Sequence, residues 1–491
     1  MAVSLTDDEP AQDRHANKLP QYAIILLATL ANFSIGTCIA WISPVWHIYS
    51  NLDVSKVNRQ DISWLCSLVP LGAAIGSLPA EVIANKIGRH RTIKIITPFL
   101  VGCWLVIGLS ANKVWIFLAR FVAGIVCGAF SIIIPIYLTE IVERRFRESL
   151  SMICQLQVYL GILFTYFTGK EEDYRHLEIG QGIFKVNLTS LTFTGFSDDQ
   201  LTIALLCAVA PTMLSVATVV MPESPVWLMV HNREEEAKEI MKSLRRIEGL
   251  TQEDAIRIEN NIEQTGCVSG FKAHTKATII AFSLMSIQQM TGMNILIAYA
   301  SKILIRLQFP LNTNVASIIL GLVPVIATCF YKNLLTRMKM KLLLFLSLCV
   351  MSISLFILSA YFRLQNTYIV SSFSWVPFLS IVLLMVAYAV GCEPVCWILI
   401  ERIFTSDVRN MAITGSMVCN WISSFMSAKG FQDIVSLMEI STVFAMYGIS
   451  TLMGTAFVAR MVPETEGKSE EEVQMELRGW NQEDTEVPTC C

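Results

Sequence analysis

Pro222-Glu223-Ser224-Pro225 closes one long apolar stretch, and Pro463-Glu464-Thr465-Glu466 closes another 241 positions later in a chain of 491 residues. Working outward from these two points, other pairs fall into step. Arg89 in the loop from Asn85 to Arg91 matches Arg337 in the loop from Asn333 to Lys341, 248 positions apart, and Arg147 matches Arg409 at 262. The spacing reads as an internal duplication. Because it falls between Arg147 and Pro222, the first copy carries about twenty extra residues in that interval.

Composition sets the class in which such a duplication operates. Hydrophobic residues make up 54% of the chain and charged residues 16%, with a mean hydropathy of +0.54, far from the balance of a soluble domain. A bilayer core takes about 20 apolar residues per helix. Windows of that kind occur at 22–45, 61–84, 92–111, 114–138, 150–168, 201–221, 277–302, 313–332, 342–362, 375–400, 411–430 and 441–461. The expected fold is an all-α membrane protein with twelve transmembrane helices in two pseudo-symmetric halves of six. The expected divisions are a tail at 1–21, a first half at 22–221, a linker with short helices at 222–276, a second half at 277–461 and a tail at 462–491. Pro70, Pro135, Pro324 and Pro394 fall inside spans, where a broken helix is tolerated beside a neighbour or a water-filled cavity. Two similar membrane halves are the layout of a transporter that rocks around a shared midplane site.

Lys and Arg are concentrated in the loops that hold Lys86, Arg89, Arg91 and Lys94, then Arg144, Arg145 and Arg147, then Lys332, Arg337, Lys339 and Lys341, and in the linker. This bias predicts a multi-pass protein with both termini in the cytoplasm. The first 18 residues have no basic n-region, so the sequence there reads as a polar tail, not a cleaved leader. Asn187-Leu188-Thr189 is an N-glycosylation acceptor in a loop expected on the outer side. Within the linker, Glu234-Glu235-Glu236 followed by Lys238, Lys242, Arg245 and Arg246 suits short surface helices with i,i+4 pairs.

A net charge of −3 with no basic stripe argues against a nucleic-acid partner. The oligomeric state is left open. Of the cysteines, Cys38, Cys66, Cys103, Cys127, Cys207, Cys349 and Cys419 fall in spans and read as small apolar residues. Cys392 and Cys396 lie one turn apart without the further ligands a structural metal requires. No metal, no cofactor and no nucleotide-binding loop is implied. Cys490 and Cys491 are acylation candidates or an unmodified tail.

Nine motifs in order along the chain carry a family resemblance. They are Asn85-Lys86-Ile87-Gly88-Arg89-His90-Arg91; Arg120 with Gly124; Pro135-Ile136-Tyr137 with Glu140 and Arg147; Gln155-Leu156; Pro222-Glu223-Ser224-Pro225 with Trp227; Gln288-Gln289 with Gly292 and Asn294; Gly391 with Pro394 and Trp397; Asn420-Trp421; and Pro463-Glu464-Thr465-Glu466-Gly467-Lys468-Ser469. Together they resemble the sugar porters of the major facilitator superfamily over nearly the whole chain, in particular the animal facilitative glucose transporters and the insect trehalose transporters. The resemblance implies facilitative movement of a hexose or trehalose across the plasma membrane, the sugar and the lipid bilayer being the partners, without covalent chemistry.

Under it, the substrate-binding residues are Gln155, Gln288, Gln289, Asn294, Trp397 and Trp421. Sugar hydroxyls both donate and accept, and neutral amides answer both functions. On an unbroken helix, Gln288, Gln289 and Asn294 form one polar sector; interhelical bonding is the other use of such residues in a membrane. A Trp offers a flat apolar face with an N–H at its edge. The resemblance further implies a cytoplasmic gate of Arg89, Arg120, Glu140, Arg147 and Glu223 at the inner helix ends of the first half, with Arg337 and Arg409 in the second. These pairs are expected to close when the cavity opens outward and to part when it opens inward.

Departures from the family pattern qualify that expectation. Asn85, Asn333 and Arg402 stand where acidic residues are usual, which leaves Arg337 and Arg409 short of partners, although Glu401 is adjacent. Gly321, Ala389 and Ser424 replace Asn, Glu and Asn of the glucose transporters, and each hydrogen bond lost is worth about 0.5–1.5 kcal/mol. Glu393 adds a carboxyl where a small residue is usual, and an ionisable group inside a span is a functional candidate. Positions 22–45 contain no Asp or Glu, so Arg120 lacks the acidic partner of proton-coupled relatives, which favours facilitated diffusion. Two alternatives stay open: a sugar receptor that binds without flux, and a proton symporter that uses Glu393. A membrane glycosyltransferase is a more distant third, for want of an acidic metal-binding cluster in a soluble loop.

Overall fold

The structure is a computed structural model that describes residues 19–45, 59–110, 112–142, 144–168, 198–245, 274–307, 311–365 and 375–478. Asn187, the linker beyond Arg245 and Cys490 with Cys491 lie outside the described residues. Every regular element among them is a helix, as lipid requires of backbone that cannot bond to water.

In the first half, α1 (Leu19–Ala40), α2 (Arg59–Ile87), α3 (Arg89–Leu109), α4 (Lys113–Ile141), α5 (Arg144–Thr168) and α6 (Asp198–Ala217) follow one another. α2 packs along α4, α1 along α5 and α3 along α6. The α2–α4 seam is tight because Gly72, Gly76, Gly124 and Gly128 interlock. A Cβ on Gly124 would lie 2.3 Å from the Val69 carbonyl oxygen, and one on Gly72 would lie 2.2 Å from that of Phe121. Small residues take this role where no hydrophobic force acts between helices in lipid.

Two short helices, α7 (Pro225–Val230) and α8 (Glu234–Arg245), begin the linker. Of the expected i,i+4 pairs of α8, Lys238 with Glu234 is present at 3.9 Å; Lys238 also reaches Glu235 at 3.2 Å, and Arg233, just before the helix, pairs with Glu236 at 2.5 Å, both three residues apart. The second half opens with a helix in three pieces, α9 (Thr275–Gln289), α10 (Met293–Ala298) and α11 (Ala300–Arg306), and continues with α12 (Thr313–Leu335) and α13 (Met340–Leu364). Next, α14 (Trp375–Ala387) passes through a π-turn at Tyr388–Cys392 into α15 (Glu393–Ile403). The half ends with α16 (Ser406–Leu437), α17 (Ile440–Met461) and the tail helix α18 (Glu470–Arg478).

Among the described residues, eleven segments are long and apolar enough to cross a membrane. The expected span at 411–430 falls in α16, which packs along α2 and α9. It takes the twelfth place in the bundle while carrying Asn420, Ser423, Ser424, Ser427 and Lys429. The expected proline breaks are not all realised: α2, α4 and α12 run through Pro70, Pro135 and Pro324 as continuous helices. Interruptions at Gly292 and at the π-turn before Pro394 lie in the second half, and a single turn at Trp41 lies in the first.

Candidate functional site

The two sets of helices meet along α2–α16 and α5–α12, and between them lies a cavity of about 630 Å³, a size typical of small-ligand sites. It reaches from Asn32 on α1 and Gln288 on α9 down to Thr139, Ser151, Tyr331, Glu401 and Arg409. These last five belong to the helix ends next to the linker, so the cavity opens at the linker end. The opposite end is tied shut across the halves. Ser43 and Ser301 share a hydrogen bond of 3.0 Å, Lys429 donates to Ser63 at 3.1 Å, and the Tyr166 hydroxyl donates to the Ile297 carbonyl at 2.7 Å.

The amides expected in the site are joined into one network. Met290 ends α9, and Gly292 sits at φ 76° with a tyrosine ring, Tyr447, 3.2 Å from where a Cβ would be; this turn needs glycine. The reading of Gln288, Gln289 and Asn294 as a sector of one continuous helix is therefore corrected. The break folds Asn294 back so that its Nδ2 donates to Gln289 Oε1 at 2.6 Å and to Ser424 Oγ at 3.0 Å. Gln289 Nε2 in turn donates to Asn420 Oδ1 at 3.0 Å, and Asn420 Nδ2 donates to Gln288 Oε1 at 2.6 Å. Gln155, Trp397 and Trp421 line the same cavity.

Two lining groups have their bonding capacity unused. Asn32 Oδ1 and Trp421 Nε1 are buried with no hydrogen-bond partner among the described residues. An orphan acceptor and an orphan donor on one apolar-walled cavity are what a hydroxyl-bearing ligand would satisfy. Asn32, Tyr159 and Asn420 were not among the site residues expected from sequence. Asn420 stood beside Trp421 in a motif, whereas Asn32 is a lone amide in an apolar run.

Of the replaced positions, Ser424 accepts a hydrogen bond from Asn294 and lies outside the cavity lining. Gly321 lies outside the cavity lining: a Cβ there would come within 2.8 Å of the Tyr166 ring, so glycine lets α12 approach α5. Ala389 lines the cavity from the π-turn.

The charged cluster departs from expectation in three ways. Arg89 Nε and Nη2 donate to both oxygens of Glu140 at 3.1 and 3.2 Å, and Ser224 Oγ donates to Glu140 Oε2 at 2.5 Å. The two side chains are 6% and 7% exposed. This pair was expected to part in a cavity open to its own end; here the cavity is open and the pair is whole. Both residues belong to the first half, so rocking of the halves does not by itself separate them. Second, Glu223 makes no ion pair among the described residues. It accepts from the backbone N–H groups of His90 at 2.8 Å and Arg91 at 3.3 Å, capping the positive end of α3. Third, Arg120 lies seven residues into α4, about 30 Å along the helix from Glu140 at 1.5 Å per residue. It donates to the carbonyls of Cys38 at 2.8 Å and Leu65 at 3.4 Å and sits 5.1 Å from the centre of the Trp41 ring. It does not join the linker-end cluster; these carbonyls and the Trp41 ring are its surroundings on α4.

Arg147 lies on α5, its side chain outside the described residues. Arg409 lines the cavity mouth and donates to the Phe404 carbonyl at 3.3 Å. Arg337 is exposed and has no side-chain partner among the described residues. In the second Pro-Glu motif it is Glu466, not the aligned Glu464, that caps a helix, accepting from the Met340 N–H at 3.1 Å.

The family model described as sugar (and other) transporter matches residues 22–477. The chain belongs to that family. Among curated relatives it is 29% identical over 480 residues to the facilitated trehalose transporter Tret1 of Polypedilum vanderplanki, covering 94% of this chain and 90% of the relative. It is 28% identical over 463 residues to the protein of that name from Bombyx mori, covering 91% and 85%. Among solved structures, the inward open xylose transporter XylE from E. coli superposes with a TM-score of 0.73 at 20% identity, covering 94% of this chain and all of that one. A partially occluded inward open form gives 0.74 at 20% identity over 91% and 99%. These two establish the fold. This family member is a membrane transporter of the sugar class and not an enzyme.

Proposed function

We propose that the chain carries a hexose or trehalose down its gradient across the plasma membrane, by alternating access around the amide-lined cavity. Both termini and the 222–276 linker then face the cytoplasm, in accord with the positive-inside bias, and the structure corresponds to an inward-facing state. The observation that carries this reading is the pairing of the orphan Asn32 acceptor and Trp421 donor with the Gln289–Asn294–Asn420 network in a cavity closed at the other end. In this reading Gln155, Gln288, Gln289 and Asn294 bond the hydroxyls, while Trp397 and Trp421 face the rings. The name shared by the curated relatives favours trehalose.

Facilitated diffusion is supported by helix α1, which carries no Asp or Glu, and by Arg120, which is held by carbonyls and Trp41. The test is uptake of labelled trehalose and glucose into oocytes with and without a proton gradient, with surface protein quantified. Saturable uptake indifferent to the gradient, and severely reduced by Gln289→Ala and Trp397→Ala at equal surface level, is the expected result. Normal uptake in both variants overturns the site. Absence of uptake by well-expressed wild type, with sugar still bound, would make the protein a receptor.

A further inference from the structure

The π-turn at Tyr388–Cys392 has a consequence for the residue that follows it. The Glu393 N–H donates to the Tyr388 carbonyl five residues back, and the extra residue in the turn changes which side chains face inward. Tyr388, Ala389, Glu393, Pro394 and Trp397 all line the cavity. Turns of this kind recur at functional sites. Glu393 is half-buried with its carboxyl at the cavity wall, and it makes no ion pair with a described residue. Its carboxyl accepts from the Tyr159 hydroxyl at Oε2 and also bonds the Gln155 side chain, while its backbone carbonyl accepts from Gln288 Nε2 at 3.4 Å. Tyr159 is on α5 in the first half and Glu393 on α15 in the second, so this bond ties the two halves inside the cavity, with Gln155 beside it.

A ligand that fills the space between the halves meets this bond. A carboxyl group offers two oxygens with several acceptor positions. A sugar hydroxyl and the Tyr159 hydroxyl are the same kind of donor and compete for the same oxygens. We propose that Glu393 contacts the transported sugar directly, exchanging its bond from Tyr159 for one from a substrate hydroxyl, so that binding unties the halves at this point. The inference rests on the sugar-transport reading above and adds to it a carboxylate contact and a competitor in the empty site. Tyr159 is a positioning residue that holds the carboxyl until sugar replaces it.

The two side chains are thereby expected to act in opposite directions, which a purely structural role for the pair would not produce. Binding of labelled trehalose and labelled glucose is measured on purified protein, with thermal unfolding of each variant recorded alongside. Glu393→Gln keeps the size but replaces one acceptor oxygen with an NH2 donor, and affinity falls about tenfold. Tyr159→Phe removes the competitor, and affinity rises several-fold. In the double variant there is no carboxyl acceptor to release, so it matches Glu393→Gln, a non-additive cycle. Wild-type affinity in Glu393→Gln, or equal or weaker binding in Tyr159→Phe, overturns the proposal. Should Glu393→Gln fail to fold, the direction of the Tyr159→Phe change decides it. Wild type that neither binds nor carries either sugar refutes the transport reading and this inference with it; wild type that carries sugar at an affinity Glu393→Gln shares refutes only the inference.

Discussion

At the linker end, the first half buries Arg89 against Glu140, ties Glu140 to Ser224, caps α3 with Glu223 and bonds Trp227 to the Asn85 carbonyl. The second half leaves Arg337 exposed and repeats only the cap, through Glu466 on Met340. The opening helices differ in the same sense: the first runs unbroken from Leu19 to Ala40, with one turn at Trp41 before helical residues 42–45, whereas its counterpart is cut at Gly292 and again at Tyr299. The amides that line the cavity sit mainly on the second half, beside its two interruptions. The duplicated plan is thus divided between a half fastened at the linker end and a half with broken helices that carries most of the cavity's amides. Unwound backbone lining a cavity at mid-depth is where membrane transporters place their binding groups.

The sharpest way to break this comparison is Glu140→Ala against Arg337→Ala. Removing one partner of a buried ion pair costs about 3–5 kcal/mol, while an exposed side chain without partners changes stability by about 0.5 kcal/mol or less. Thermal unfolding of the two purified variants in detergent should separate them clearly; similar midpoints would erase the distinction between the halves. Gly292→Ala comes next. A residue with a side chain forced to φ 76° against the Tyr447 ring is expected to cost about 1–3 kcal/mol, and sugar binding should drop with it, because Asn294 is placed by that turn. Binding that survives the substitution intact would show that the break does not position the amides.

Smaller effects sharpen the picture. Glu223→Gln removes a charge that accepts from two α3 N–H groups and should cost about 1 kcal/mol; Glu466→Gln, with one such bond to Met340, should cost less. The same unfolding assay orders them, and a larger loss at Glu466 would reverse the asymmetry. Least of all, Asn333→Asp offers exposed Arg337 an acidic neighbour and should add no more than about 1 kcal/mol, fading in high salt.

Most of the spans were legible because lipid makes a simple demand: an unbroken apolar run of sufficient length. The 411–430 stretch of α16 was read as an apolar window despite its serines and Lys429. The helix break at Gly292 was not legible, because a glycine that adopts positive φ reads the same as one that merely packs. The exchange of roles between Glu464 and Glu466 was equally hidden; which carboxylate reaches a helix end depends on the path of the turn, not on motif alignment. Arg120 was misplaced because its charge was read without its depth along α4. Asn32 acquires meaning only from the cavity it lines, and Ser424 only from its bond to Asn294.

The central claim is that sugar occupies the amide network on the broken half and is passed across by movement against the fastened half. Exchange of labelled trehalose or glucose by purified protein in liposomes tests it most directly, because exchange requires binding, reorientation and release on both sides. The account predicts saturable exchange, accelerated by unlabelled sugar on the opposite side, abolished by Gln289→Ala and retained in Arg337→Ala. Exchange undiminished in Gln289→Ala, or no exchange by a wild-type protein that is folded and correctly inserted, would contradict it.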